Sequence, residues 1–381
     1  MRYIFFLRPW GIVLVVAYAS MFSSCAKKED AKPATENTPI FAPVPINLKD
    51  SSTYYFVGEL EDKAKSRTIA LQGEMTLKGT SLEGKYHYQS GSGVMALQGS
   101  LSGDGTVTVN EKTSAGEFSY NPDHKEQTTA IIRGKLDKVQ GIITGSWVSS
   151  DGKVTYPCTL KMIAYHANIK HPSINVSVSY PVFSAPDFAA LNDSITRIMR
   201  ASFDSSVKSV TSQIAEIKSD TSLLSDFKPE ERLTETDDLR IHFASGALVS
   251  MTHLQYFDGG GAHGNYGYIG ETWQKRGGAW QQLRLKDLFT SDTAYYKRIN
   301  DLLISHLKKR GASFVADGST TDLTDGLRVG SQSFVIHPAG ITFLFSPYAV
   351  ASYAEGEQEV FIPWKALKDF LRKDGAAGEF L

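Results

Sequence analysis

Leu82-Glu83-Gly84-Lys85-Tyr86-His87-Tyr88, Leu97-Gln98-Gly99-Ser100-Leu101, Ile131-Ile132-Arg133-Gly134-Lys135-Leu136 and Ile142-Ile143-Thr144-Gly145-Ser146-Trp147 are four versions of one pattern. Each places a glycine between an apolar residue and a bulkier strand former. A glycine at that position relieves crowding where strands approach or bend. Around these units short apolar runs recur: Thr53–Val57, Ile69–Leu77, Leu82–Tyr88, Val94–Leu101, Thr106–Asn110, Gly116–Tyr120, Ala130–Leu136, Ile142–Val148 and Val154–Met162. Strands spaced roughly 8–12 residues apart, with turn signals between them, point to a sandwich or barrel. Ser102-Gly103-Asp104-Gly105 and Ser150-Asp151-Gly152 read as hairpin turns, because Asp-Gly readily supplies positive φ. Residues 50–165 are therefore expected to be an all-β meander or small up-and-down barrel.

Residues 168–381 change period. Ile174–Tyr180 alternates as a strand, and a long amphipathic helix follows. Phe188, Leu191, Ile195, Ile198, Met199, Phe203, Val207, Val210, Ile214 and Ile217 recur at three and four, with Asp187 as its N-cap. Leu239–Phe257 reads as two strands around Ser245-Gly246, and Tyr268–Gln274 continues that sheet. A second helix is expected over 293–310, closed by Gly311, with Tyr296, Ile299, Leu303 and Leu307 on one face. Phe334–His337 and Ile341–Phe345 form a hairpin, Glu359–Ile362 is a final strand, and Pro363 starts a last helix. The chain is thus multidomain: an all-β part, then an α+β domain with an antiparallel sheet and packed helices, in subdomains of about 168–235 and 236–381.

The 381 residues carry 40 Lys+Arg against 41 Asp+Glu, which gives no basic field for a polyanion and argues against a nucleic-acid partner. Residues 1–24 read as an address rather than as fold. Arg2 and Arg8 precede the apolar run Ile12–Ala19, which is too short to span a bilayer at about 20 residues per crossing. Ser23-Ser24-Cys25 then resembles a bacterial lipobox, with Phe22 where leucine is usual. It implies cleavage before Cys25, lipidation of its sulfur and a membrane-anchored protein; the other reading is an uncleaved anchor. The absence of an acid directly after Cys25 favours the outer membrane. Residues 25–49, with Pro33, Pro39, Pro43 and Pro45, read as a disordered, extended tether. Cys158 is then left without an intramolecular partner and reads as a buried strand residue.

A further resemblance lies in the C-terminal half. Asp258-Gly259-Gly260-Gly261-Ala262-His263-Gly264-Asn265, then Gly278 to Phe289, then Phe345-Ser346-Pro347-Tyr348 through Tyr353 to Gly356, and Val360-Phe361-Ile362-Pro363 occur in an order that resembles one family. It is the paired domain of the RsiV anti-sigma-factor ectodomain, also the non-catalytic front part of the peptidoglycan deacetylase PdaC. Tyr180-Pro181-Val182-Phe183 and the helix after it match the first subdomain, so the likeness covers about residues 170–370. RsiV-like ectodomains sense lysozyme by binding it. PdaC-like enzymes carry their chemistry in a separate domain whose Thr-Phe-Asp-Asp-Gly type motif is missing from this chain.

The ligand-binding candidates are Asp258, Gly260, Gly261, His263, Asn265, Tyr348 and Tyr353. Glycines allow close backbone approach, and aromatics anchor sugars and protein partners. The competing reading of the glycine loop is a tight crossover whose histidine satisfies a carbonyl. His253, Asp258 and His263, with His242, are too scattered along strands to be read as a zinc set. Glu355, Glu357 and Glu359 read as a solvated acidic edge. No Gly-x-Ser-x-Gly elbow occurs in the C-terminal half. The expected function is a non-catalytic envelope module binding a cell-wall glycan or a protein such as lysozyme, with no cofactor or metal. The alternative is a peptidoglycan-modifying enzyme, a deacetylase or glycan hydrolase, using His263 and Asp258.

Overall fold

A computed structural model describes residues 41–47, 51–91, 93–114, 125–219, 228–290 and 294–380. The lipobox at Cys25 and the expected strand Gly116–Tyr120 lie outside the described residues.

Eight strands form a closed antiparallel barrel: β1 (Ser52–Asp62), β2 (Arg67–Lys78), β3 (Ser81–Tyr88), β4 (Val94–Leu101), β5 (Thr106–Thr113), β6 (Thr128–Asp137), β7 (Ile142–Ser149) and β8 (Thr155–Lys170). Each pairs with the next, and β8 returns to β1. Closure at this strand number leaves an interior that side chains can fill. Phe56, Leu71, Met75, Leu82, Tyr86, Val109, Ile132 and Leu160 fill it, and Cys158 faces the same core. Burial, and secondarily the Glu111 charge, push the Cys158 thiol up to about 12, so it is inert. The recurring glycines have the steric reason expected of them. Gly134 and Gly145 face each other across β6 and β7, and a Cβ on Gly145 would lie 1.9 Å from the Arg133 carbonyl. One on Gly99 would lie 2.0 Å from the Thr108 carbonyl.

The end of the proline-rich tether is docked on the barrel. Val44 is buried, Ile46 N–H donates to the Lys138 carbonyl at 2.9 Å, and Asn47 N–H donates to the Tyr54 hydroxyl at 2.9 Å.

β8 joins the two halves. Its first part closes the barrel, and its last residues pair with β9 (Asn175–Phe183). From β9 the chain enters α1 (Ala189–Ser219) and the one-turn α2 (Pro229–Arg232). It returns as β10 (Thr234–Ala244), parallel to β9. β11 (Leu248–Asp258), β12 (Asn265–Arg276) and β13 (Ala279–Leu283) follow as an antiparallel meander. The α1 stripe of Leu191, Ile195 and Met199 packs on Val178, Leu239, Ile241, Val249 and Met251. Each fully buried aliphatic of this kind contributes roughly 1.5–3 kcal/mol.

The opposite face of β11 and β12 is covered by a second antiparallel sheet, β14 (Ser333–His337), β15 (Gly340–Phe345) and β16 (Gln358–Pro363). Helix α3 (Ala294–Arg310) packs behind it through Tyr295, Ile299, Leu303 and Leu307, and closes at Gly311 with φ 81°. Tyr295 thus takes the place expected of Tyr296, which is only partly buried.

Two expectations need correction. Asp187 does not cap α1. It lies in a 3-10 turn, Pro186–Phe188, and its carboxylate pairs with Lys275 at 3.4 Å. The amide of Asn192 instead ties α1 to the Phe183 backbone, with both bonds at 2.9 Å. Pro363 starts no helix either. A single 3-10 turn, Trp364–Ala366, runs into a further turn over 367–370, and Leu371 then bridges to Phe289. Burial of Trp364, Leu367 and Leu371 in the α3 core overrides the helical spacing of this stretch.

Candidate functional site

The glycine loop is the turn of the β11–β12 hairpin. β11 ends at Asp258, whose carboxylate accepts from Gly260 N–H at 2.8 Å and from the Tyr256 hydroxyl at 3.4 Å. Gly260 sits at φ 76°, and Gly260 and Gly261 are exposed. Gly264 must be glycine for another reason, since a Cβ there would lie 2.4 Å from the Tyr256 hydroxyl oxygen. His263 brings its Nδ1 to 2.9 Å from the Gly264 carbonyl, as the crossover reading required.

Tyr353 comes from the loop between β15 and β16. Its ring stacks on His263 with centroids 4.0 Å apart, and its hydroxyl donates to the Gly264 carbonyl at 2.6 Å. Tyr348 packs on the outer side of Tyr353 at 5.6 Å. Tyr266 packs edge-on against Tyr353 at 6.0 Å, and its hydroxyl donates to Glu357 at 2.8 Å. Burial, then the Glu357 bond, raises the Tyr266 phenol above its ordinary range. The result is an aromatic face, His263–Tyr353–Tyr348, braced by Tyr266 and Tyr256.

Four of the seven candidates meet here: Asp258, His263, Tyr348 and Tyr353. Gly260 and Gly261 form the rim. Asn265 does not join them; it is exposed, and strand alternation turns it to the face opposite Tyr266. Tyr256, Tyr266 and Glu357 were missed. The two tyrosines had a signal in their even-numbered spacing with Tyr268 along one face of the hairpin, whereas Glu357 had none.

Tyr348 carries an unusual backbone. It sits at φ 69°, with 55% of its surface exposed, in a turn where its N–H donates to the Ala351 carbonyl at 3.0 Å. A bulky residue there is a steric outlier and costs about 1–2 kcal/mol.

The acidic-edge reading needs correction. Glu355 ends a 3-10 turn and is bonded by the Ser352 hydroxyl at 2.7 Å and the Ser313 N–H at 3.1 Å. Ser313 first, then Ser352, hold its carboxyl down at about 2. Glu357 braces Tyr266, and all three glutamates are half-buried.

His253 lies elsewhere, buried under α1. Its Nε2 is 3.5 Å from Asp237 and its Nδ1 3.4 Å from Glu271, and Ser202 donates its hydroxyl to Asp237. Among the described residues no group of three or more His, Cys, Asp or Glu is arranged to hold a metal ion. Burial alone would lower the His253 pKa, but the Asp237 and Glu271 carboxylates outweigh it and raise it to about 9. A raised value means that the stabilisation is complete below the unfolded value of 6.5 and is lost as pH rises through 9. Wild-type protein should therefore lose on the order of 3 kcal/mol between pH 6.5 and 10. His253→Gln should flatten that alkaline limb in urea unfolding at each pH; an unchanged limb would contradict the triad.

Among the described residues no helix is long and apolar enough to cross a membrane. A groove of about 310 Å³ lies apart from the aromatic face, lined by Pro43, Val44, Tyr54, Tyr165, His166 and Ser184 among others.

Comparison with known proteins gives one family match, to "Protein of unknown function (DUF3298)", over residues 286–365. A solved DUF3298-family structure from Bacteroides fragilis is 20% identical, with a TM-score of 0.38, and the alignment covers 57% of this chain and 95% of that one. Another, from Pseudomonas aeruginosa, is 15% identical, with a TM-score of 0.35, and covers 55% and 94%. No curated protein matches.

Proposed function

We propose that this protein is a lipid-anchored module of the bacterial cell envelope that binds through the Tyr348–Tyr353–His263 face and performs no chemistry there. Its ligand is a cell-wall glycan, in keeping with the RsiV- and PdaC-like motifs. The carrying observation is Tyr348: an exposed ring on a backbone conformation that disfavours it, tilted against a braced second ring. Strain of this kind concentrates at functional positions. The Tyr353 and Tyr266 hydroxyls are already committed to Gly264 and Glu357, and Tyr353 packs against both His263 and Tyr348, so the exposed ring of Tyr348 is the surface left for a ligand. Pyranose rings pack on such faces.

The hydrogen bonds speak against an acid–base site. Asp258 serves Gly260 and Tyr256 while His263 faces Gly264, so the two form no dyad. A lysozyme-like basic protein is the second reading, favoured by Asp258 and Glu357 flanking the rings.

Sedimentation of the purified chain with peptidoglycan, and titration with lysozyme, test both. Tyr348→Gly relieves the backbone, so it should raise stability by about 1 kcal/mol while weakening binding about tenfold or more. Glycan binding unaffected by this change would remove the face from the proposal, and binding to neither ligand would end it.

A further inference from the structure

Residues 41–47 touch the cores of both halves of the molecule. Phe41 and Ala42 pack against the cluster under α1 that holds Ile163, Tyr180, Phe183 and Phe188. Lys161 of β8 lies over the Phe41 ring, 5.7 Å from its centroid. Val44 and Ile46 belong instead to the barrel core. The segment alternates as extended chain does: Ala42, Val44 and Ile46 are covered, whereas Pro43, Pro45 and Asn47 are exposed. Polar contacts hold it at both ends. The Ser184 hydroxyl, just past β9, donates to the Ala42 carbonyl at 2.8 Å. Ile46 N–H donates to the Lys138 carbonyl and Asn47 N–H to the Tyr54 hydroxyl, as described above.

The barrel has a seat for this segment. Gly141 sits in the β6–β7 turn at φ 66°, and a Cβ there would lie 2.4 Å from the Val44 carbonyl oxygen. Any other residue would push the segment off.

Yet the segment is not a strand of the barrel. The ladder from β1 through β8 and back to β1 closes without it. Pro43 and Pro45 lack the N–H groups that a ladder would use. Of the seven residues Val44 alone is fully buried. The groove of about 310 Å³, lined by Pro43, Val44 and Pro45 as well as Tyr54 and Tyr165, leaves one side of the segment loosely packed. Chain held by one buried aliphatic and a few hydrogen bonds near the surface opens more readily than strands of a closed barrel.

We propose that residues 41–47 are a releasable clasp. It fastens the tether to both domains, and its withdrawal lengthens the tether while the barrel and the C-terminal domain stay folded. The use of this device rests on the membrane-anchored reading. For a chain held at Cys25, release moves the fixed point from Phe41 to Ser52. That adds roughly 35 Å of reach, at about 3.3 Å per residue, for the aromatic face to meet the cell wall.

Hydrogen exchange of the purified chain in solution tests the clasp. It needs neither membrane nor glycan, so its failure is distinct from failure of the anchor or of the ligand. The Ile46 and Asn47 amides should be protected about tenfold or more over unstructured chain, and should exchange about tenfold or more faster than the central β1 amides. Val44→Asp places a charge in the seat and should remove the protection of Ile46 and Asn47. The strands β1–β8 and helix α1 should stay within about threefold of wild type in that variant. Unprotected Ile46 and Asn47 in the wild type, or protection that survives Val44→Asp, would overturn the clasp. So would exchange of these amides in step with β1, or loss of barrel protection in Val44→Asp, since either makes the segment an integral part of the barrel.

Discussion

Glu111→Leu is expected to destabilise the barrel by about 4 kcal/mol, because several buried donors lose a shared charged acceptor. Glu111 lies on β5 and is 2% exposed, with its carboxylate inside the barrel. One oxygen accepts from the Tyr86 hydroxyl, the Tyr88 hydroxyl at 2.8 Å and the Trp147 indole N–H at 2.8 Å, and the other accepts from Thr129. Among the described residues no cation pairs with it, and neutral donors carry the charge. Burial first, then the charges of Tyr88 and Glu111, push the Tyr86 phenol well above its ordinary range, so it remains a donor at any working pH. Leucine fills the space and strands the donors, whereas Glu111→Gln keeps an acceptor oxygen and should cost about half as much. Exchange protection of β3–β7 reads the difference strand by strand. Equal stability of the leucine variant and wild type would show that the carboxylate is not the keystone of that barrel end.

Gly270→Val should be comparably severe and should also remove binding. Gly270 lies on β12 where β14 crosses it, and a Cβ there would be 1.8 Å from the Phe334 carbonyl oxygen and 2.7 Å from its nitrogen. Backbone cannot yield by rotamer change, so the second sheet must move away, at about 3 kcal/mol or more. That sheet carries the loop with Tyr348 and Tyr353, while the hairpin carries His263. Moving one from the other separates the stacked rings. The matched control is Gly103→Ala in an open turn with nothing near its Cβ, expected within about 0.5 kcal/mol of wild type. Thermal unfolding and glycan sedimentation of the two variants check both halves of the expectation.

The barrel was readable because its determinants are local. Asp-Gly turns and a glycine every strand or so leave few alternatives to an antiparallel meander, and the same glycines prove to be close-approach points. The last helix is misread because Pro363 suits a first helical position, whereas burial of Leu367 and Leu371 in the distant α3 core and the bridge from Leu371 to Phe289 hold the stretch as a series of turns. The site was half legible. The glycine loop and the Tyr348–Tyr353 stretch stand out, but their meeting depends on a loop some 90 residues downstream folding back over the hairpin. The Glu357 brace and the His253 triad were invisible for the same reason: each joins residues whose neighbours in sequence say nothing about the contact.

The claim on which the account rests is that the rings at 348, 353 and 263 are where a ligand sits. Its most direct measurement is the exchange footprint left by soluble glycan strands titrated into the intact protein. Protection confined to the segments around 259–266 and 346–356 is the predicted result. Binding that protects the barrel or the α1 face, and leaves those two loops unchanged, would contradict it.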